Sequence, residues 1–191
     1  MARYLQKGID SAILVGISGT KWEIVERRTT KPGVPSIKRQ VEHMFLGRYE
    51  HAIDDKGRIT IPVRYREALA NGAFVCQGFD RNLMVMTADS FQQISDRVNE
   101  ISLTDPVARQ LKRLIFSSAE RVEFDRAGRM LLPSFLREAA QLEDSVVIAG
   151  VGDYFEIWSP KLWAVQNETL QDTDANIQRF AALNLSLRSA A

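Results

Sequence analysis

The sequence DDKGRITIP at positions 54–62 returns as DRAGRMLLP at positions 125–133. The two stretches lie 71 residues apart and share an aspartate, a glycine, an arginine and a proline at the same spacing. A motif that recurs at a fixed offset, with similarity on either side of it, is typical of a fold built from copies of one unit. The sequence therefore predicts two related modules within one chain.

The bulk composition is that of a protein able to bury a core. Its 191 residues are 45% hydrophobic and 26% charged, which is the usual range for globular domains. The one cysteine, Cys76, excludes an internal disulfide, and its repeat partner is Ile148, so we interpret it as an apolar core residue. His43 and His51 have no ligating cluster near them in the sequence. We therefore expect no metal site and no other cofactor.

No apolar stretch of the sequence approaches the roughly 18 residues of a membrane span. The stretch SAILVGISGT at 11–20 has a short apolar centre without the cleavage site of a signal peptide. It also lacks the Gly-Lys-Ser/Thr ending of a phosphate loop. We expect a cytoplasmic protein with no membrane partner and no small-molecule substrate.

The first 43 residues differ in character from the rest of the chain. They hold eight basic and four acidic residues, a net charge of +4, and end in a segment with two prolines and a glycine. We interpret 1–43 as a flexible basic arm without a regular apolar pattern. The remaining 17 basic and 20 acidic residues give a net charge of −3. Any site for a polyanion must therefore come from the local placement of charges.

Each copy of the repeat predicts a half-buried strand on either side of a tight turn, because apolar and polar residues alternate there. Gly57 and Gly128 lie in the two turns, where a positive φ would close a hairpin without a steric clash. Pro62 and Pro133 then predict the start of one short helix in each copy. Two more apolar strands follow in each copy.

These patterns divide the chain into segments and predict an α+β fold. The first module covers 48–91, a helical connection covers 92–119, and the second module covers 120–163. In the connection we expect Thr104 to cap a helix that carries an apolar stripe. We expect the polar tail, 164–191, to be partly disordered.

The repeated turns are the candidate binding site. In each turn an aspartate, Asp54 or Asp125, is expected to accept hydrogen bonds from backbone amides and so to fix the loop. Arg58 and Arg129 then lie at defined positions, where a guanidinium can donate two hydrogen bonds to phosphate or to guanine. The two turns together therefore predict a repeated anion-binding or base-reading surface.

Lys56 and Arg126 add a second positive charge to each turn. Charged turns that only keep a sheet soluble are the alternative, but solubility does not require the same residue spacing twice. The sequence GVGD at 150–153 is explained by a hairpin turn better than by a phosphate cradle. Glu67 and Glu138 have no histidine or second carboxylate as a partner, so we expect no enzymatic activity.

Four stretches between Met44 and about Trp163 carry a further signal. They read MFLGRYEHAIDDKGRITIPVRYRE, ARQLKRLIFSSAE, FDRAGRMLLPSFLRE and VVIAGVGDYFEIW. Together they closely resemble the MraZ family of bacterial transcriptional regulators, with both aspartate-x-x-x-arginine motifs at the family's positions. The resemblance implies two swapped-hairpin modules of the AbrB type, packed about a pseudo-two-fold axis within one chain.

The resemblance also implies a function. Members of the family form closed rings and bind short direct repeats of double-stranded DNA in the promoter ahead of the division and cell-wall gene cluster. The family's DNA-contacting arginine carries over onto Arg58 and, by repeat symmetry, onto Arg129, with Lys56 and Arg126 beside them. A ring that presents the same turns many times gains avidity despite the net charge of −3. We therefore expect a nucleoid-associated homo-oligomer.

Two other classes of function stay open at this point. The ring would be a protein scaffold if the turn arginines faced a protein partner instead of DNA. Swapped hairpins also occur in antitoxins that occlude a toxin with an acidic tail, although the tail here has no sustained acidic run. Because family members begin where Met44 stands, we also expect that translation starts, or could start without harm, at this methionine.

Overall fold

The structure, a computed structural model, describes residues 44–183 and, as backbone only, two short segments before them. These segments are β1 (Ile13–Ile17) and β2 (Lys21–Val25), which pair as a two-stranded antiparallel sheet. The prediction that 1–43 has no regular pattern is wrong for these two segments. Their sequences, ILVGI and KWEIV, are rich in residues that favour strands. The rest of the predicted arm lies outside the described residues.

Residues 44–183 contain the same series of elements twice and form an α+β fold, as predicted. The first copy comprises β3 (Phe45–Ala52), β4 (Arg58–Thr60), α1 (Val63–Arg66), β5 (Ala73–Gln77) and β6 (Leu83–Thr87). The second comprises β7 (Glu120–Val122), β8 (Arg129–Leu131), α4 (Ser134–Ala139), β9 (Ser145–Gly152) and β10 (Tyr154–Trp158). Between the copies lie α2 (Ala88–Glu100) and α3 (Pro106–Phe116). After them come α5 (Pro160–Gln171), α6 (Thr173–Phe180) and a 3-10 turn at Ala181–Leu183.

The two copies are related by a pseudo-two-fold axis. The six-stranded sheet has the order β3-β9-β10-β6-β5-β7, which reads the same from either end when each strand is exchanged for its repeat equivalent. At the centre of this sheet Met84 faces Glu156, its own equivalent. In the small β4-β8 sheet Ile59 faces Met130, again its own equivalent. The pseudo-two-fold axis therefore passes through both pairs.

The strand after each turn pairs with the other copy. β4 pairs with β8, and within a copy only the single bridges Ile53–Ile59 and Phe124–Met130 close the turns. The prediction of a hairpin whose two strands pair within one copy is therefore wrong beyond the turn itself. Pairing across the axis brings Ile59 and Met130 into a shared hydrophobic core. An apolar sheet face has to pack against another element to be shielded from water. The swapped-hairpin fold that the resemblance implies is confirmed.

The two copies share one hydrophobic core, and Ile53 and Phe124, which directly precede the two turns, pack against it. Tyr65 from α1 packs in it against Phe45 and Phe155, with ring centroids 5.0 and 5.2 Å away. The hydroxyl of Tyr65 donates to the carbonyl of Leu46 at 2.9 Å, and burial raises the pKa of this phenol to about 12. Each large side chain buried in this way contributes roughly 1.5–3 kcal/mol. Cys76 is buried, as predicted, and burial raises the pKa of its thiol to about 11.

One prediction about the helices is wrong. The cap of α3 is Asp105 instead of Thr104, because the carboxylate of Asp105 accepts from the amide of Val107 at 2.8 Å. Of the tail, 164–191, which was expected to be partly disordered, the structure describes residues 164–183, and these are largely helical. Ser159 caps α5 and Asp172 caps α6, each accepting a hydrogen bond from a backbone amide in the first turn of its helix. No helix among the described residues is long and apolar enough to cross a membrane.

Candidate nucleic-acid interface

The two turns are built by the same hydrogen bonds. In the first turn one carboxylate oxygen of Asp54 accepts from the amides of Lys56 and Arg58 at 3.0 and 2.9 Å. In the second turn Asp125 accepts from the amides two and four residues further on, at 2.9 and 3.0 Å. Gly57 and Gly128 have φ values of 76° and 74°, a region that glycine adopts without strain. Each aspartate thus fixes a turn whose geometry requires its glycine.

The other carboxylate oxygens hold the arginines. The Nε and Nη2 atoms of Arg58 lie 2.8 and 2.7 Å from Oδ2 of Asp54. Arg129 makes the same contacts to Asp125, both at 2.8 Å. Across the axis, Nη1 of each arginine approaches Oδ2 of the opposite aspartate, at 3.8 Å from Arg58 and 3.6 Å from Arg129. The structure therefore joins the four predicted residues into one cluster with two positive and two negative charges.

Hydrogen bonding keeps this cluster ionised. The side chain and then the amide of Arg58 lower the pKa of Asp54 from 3.8 to about 2. The pKa of Asp125 is lowered chiefly by the amide of Arg129 and further by the guanidinium of that residue. In return, the hydrogen bond to Asp54 raises the pKa of Arg58. The Asp54/Asp125/Arg58/Arg129 cluster is therefore neutral as a whole at physiological pH.

The remaining charges make the two turns unequal. Lys56 and Arg126 are exposed, but Asp55 lies beside Lys56, whereas the second turn has an uncharged residue, Ala127, after Arg126. The first turn therefore carries no net charge and the second carries +1. Sequence reasoning counted the positive charges of the turns and overlooked Asp55.

Two further arginines cover the turns, and sequence reasoning left them out of the site. Arg66 at the end of α1 lies over Gly128, and Arg137 in α4 lies over Gly57, so each crosses to the turn of the other copy. A methyl group on Gly128 would overlap the guanidinium carbon of Arg66, and one on Gly57 would come within 3.0 Å of that of Arg137. The signal for them was present, because Arg66 and Arg137 also lie 71 residues apart.

The backbone holds these two arginines in place. Nε of Arg66 donates to the carbonyl of Ile61 at 3.0 Å, and Nε of Arg137 donates to that of Leu132 at 3.2 Å. Beside Arg66 lies an open cleft of about 590 Å³, which is also lined by Arg121.

Within the part of the chain that the structure describes, no group of three or more His, Cys, Asp or Glu side chains could hold a metal ion.

The fold and the paired turns define a two-module swapped-hairpin protein. The family model described as "MraZ protein, putative antitoxin-like" matches residues 44–114 and again 115–183. The chain is 48% identical over 141 residues to a protein of Thermomicrobium roseum named transcriptional regulator MraZ, covering 73% of this chain and 99% of the relative. A protein of the same name from Roseiflexus castenholzii is 46% identical over 145 residues, covering 76% and 99%. A third, from Desulfitobacterium hafniense, is 41% identical over 133 residues, covering 70% and 93%. The chain belongs to the MraZ family.

Proposed function

We propose that this protein is a DNA-binding transcriptional regulator whose paired turns contact duplex DNA. The observation that carries the proposal is the pairing of β4 with β8, which brings two arginine-bearing turns together about one axis. The arginines of the two turns approach the same aspartates to within 3.6–3.8 Å. Two rigid, equivalent turns on one surface suit a repetitive polymer such as DNA. The names of the relatives support the same class of function.

Arg58 and Arg129 are suited to reading bases. An arginine carries five N–H donors, and the contacts with the aspartate of its own turn use Nε and Nη2. Hydrogens on the terminal nitrogens stay free for the O6 and N7 atoms of guanine. Because the carboxylates fix the guanidinium groups, little conformational entropy is lost when these contacts form. Lys56 and Arg126, which are exposed beside them, would contact the DNA backbone.

The target that the resemblance implies is a set of short direct repeats in the promoter ahead of the division and cell-wall gene cluster. We extend the proposal to this target, to a ring-shaped homo-oligomer and to a place on the nucleoid. A single subunit is expected to bind DNA weakly, since residues 44–191 carry a net charge of −3 and DNA is a polyanion. Several linked subunits would bind several DNA repeats at once and gain avidity. Exposed apolar side chains suit burial between subunits, including Phe79, Leu103 and Val107, which are each exposed by two thirds or more.

A salt titration of DNA binding tests the proposal. The full-length protein is mixed with a duplex from the region upstream of its own gene and with an unrelated duplex of equal length. We expect a preference for the upstream duplex and an affinity that falls linearly with salt on logarithmic axes. Light scattering on the same sample reports the oligomeric state. A stable oligomer that binds neither duplex would favour the scaffold or antitoxin-like alternative, whereas equal affinity for both duplexes would contradict the promoter target.

A further inference from the structure

We infer that Arg66 and Arg137 supply further phosphate contacts of the paired turns, beside those of Lys56 and Arg126, while the neutralised pair Arg58 and Arg129 reads bases. The inference rests on the proposed function, because it assigns roles within the same DNA-binding surface. It adds two residues that the aspartate-x-x-x-arginine motifs do not contain. Charge, orientation and the surroundings of each guanidinium distinguish the two pairs of arginines.

Charge separates the pairs first. Arg58 and Arg129 each have a carboxylate oxygen within 2.8 Å. Among residues 44–183, no carboxylate lies within 4.0 Å of Arg66 or Arg137. Non-specific binding to DNA comes from cations that replace counterions along the phosphates. The guanidinium groups of Arg66 and Arg137 are therefore positive charges over the turns that no ion pair among residues 44–183 offsets.

Orientation makes these two arginines ready for a ligand. Each is half-buried and is held on its own side by the bond from Nε to a backbone carbonyl. Each guanidinium also lies close to a turn glycine, where a Cβ would clash with it or crowd it. Nη1 and Nη2 are left to donate, and their spacing matches two oxygens of a phosphate group. Arg66 and Arg137 are therefore placed by the protein before any ligand arrives.

The surroundings predict that Arg66 contributes more than Arg137. The cleft beside Arg66 is also lined by Arg121 and Arg126, against the acidic residues Glu123 and Asp125. The surface beside Arg137 instead contains the acidic residues Glu138 and Glu143. Asp125 is already neutralised by its own arginine. A phosphate would therefore meet a more positive surface at the second turn than at the first.

The test compares Arg66→Gln, Arg137→Gln and the double variant with Arg64→Gln. Arg64 is a matched control, since it lies in the same helix and its removal changes the net charge equally. Its guanidinium lies 5.9 Å from the ring centroid of Tyr49 and is not among the groups nearest to either turn glycine. Affinity is measured over a range of salt with the upstream duplex and with the unrelated duplex. We expect the logarithmic salt slope to fall by about 1 for each phosphate contact that is removed, and to stay unchanged in Arg64→Gln.

The two duplexes distinguish a phosphate contact from a base contact. Removal of a phosphate contact weakens binding to both duplexes by the same factor. A decrease confined to the upstream duplex, or slopes in the double variant equal to those of Arg64→Gln, would overturn the inference. If the wild-type protein bound neither duplex, the proposed function itself would fail, which is a different result.

A conservative variant covers the case in which glutamine prevents folding. Arg66→Lys keeps the charge but cannot keep both the bond to the carbonyl of Ile61 and a pair of terminal donors. We expect it to melt as the wild type does, to keep the salt slope and to bind both duplexes several-fold more weakly. Wild-type affinity in Arg66→Lys would show that orientation of the guanidinium has no role and would contradict the inference.

Discussion

Ile59 and Met130 face each other across β4 and β8, and neither is exposed to solvent. They are equivalent positions of the two repeats, so each copy supplies half of the contact at the pseudo-two-fold axis. The turns that carry the candidate DNA-binding residues end directly beside this contact. The stability of the fold and the geometry of the candidate site therefore depend on the same pair of side chains.

Replacement of Ile59 by alanine should destabilise the whole protein. The substitution leaves a cavity in a core that both copies share, and such changes cost about 2–5 kcal/mol. Chemical denaturation measures the decrease in the free energy of unfolding. Leu131→Ala in β8 is the control, because this leucine is 54% exposed and should change stability by less than half as much. Equal effects of the two substitutions would contradict a core at the axis.

Gly128→Ala should disturb both folding and the position of Arg66. The alanine methyl would overlap the guanidinium, and a φ of 74° costs a side chain about 1 kcal/mol by itself. Thermal melts of Gly128→Ala, Arg66→Ala and the double variant form a cycle that separates the two causes. We expect Arg66→Ala to restore part of the stability, since it removes the clash. Additive effects would mean that strain in φ is the whole cost.

Arg58→Ala and Arg129→Ala should weaken binding to the upstream duplex more than binding to unrelated DNA. Removal of a bidentate contact with a base costs about 1–3 kcal/mol of discrimination. The effect on thermal stability should be small, because these ion pairs are partly exposed to solvent. Mobility shifts and thermal melts check the two parts separately. Unchanged preference in the double variant would refute the role in base reading.

Asp54→Asn should increase the affinity for unrelated DNA. An asparagine keeps the side-chain oxygen that accepts from the turn amides, but the charge that neutralises Arg58 is gone. The freed positive charge should steepen the logarithmic salt slope by up to about 1. A titration with the unrelated duplex measures it. Weaker binding, at an unchanged melting temperature, would show that the carboxylate itself assists contact with DNA.

Acid should destabilise the protein through the two aspartates. The pKa of Asp54 is lowered from 3.8 to about 2, and that of Asp125 is also lowered. A carboxyl group with a depressed pKa in the folded state contributes stability above its unfolded pKa, and this contribution disappears as the pH falls. We expect the melting temperature to drop between about pH 4 and pH 2. The Asp54→Asn, Asp125→Asn double variant should show a smaller drop over that interval.

The repeat, the turns and the fold class could be predicted from the sequence, because glycine, proline and strand periodicity are patterns of a few neighbouring residues. The crossing of the strands was harder to predict from the residues. Alternation shows which face of β4 is buried, but not whether β3 or β8 lies next to it. The contact of Arg66 with Gly128 joins positions 62 residues apart and depends on that crossing.

The described part of the tail and the β1-β2 pair contain local signals that were given too little weight. Ser159 and Asp172 are capping residues that the sequence displays, yet the weak apolar pattern after them favoured disorder. In the first segment, the basic residues and prolines drew the interpretation away from two short apolar stretches. The tail therefore contained capping signals and the first segment contained strand signals, but both interpretations followed the average composition instead.

The Met84–Glu156 pair at the centre of the large sheet affects which repeats can pair with each other. Two copies of the second repeat alone would place one Glu156 opposite another, and like charges directly opposite each other destabilise a sheet. In the present chain, burial already raises the pKa of Glu156, although the indole of Trp158 donates to it at 2.9 Å. The second repeat is therefore poorly suited to a symmetric homodimer, and its natural partner is the first. Divergence at this one pair of residues therefore favours pairing of the two different repeats over pairing of two identical second repeats.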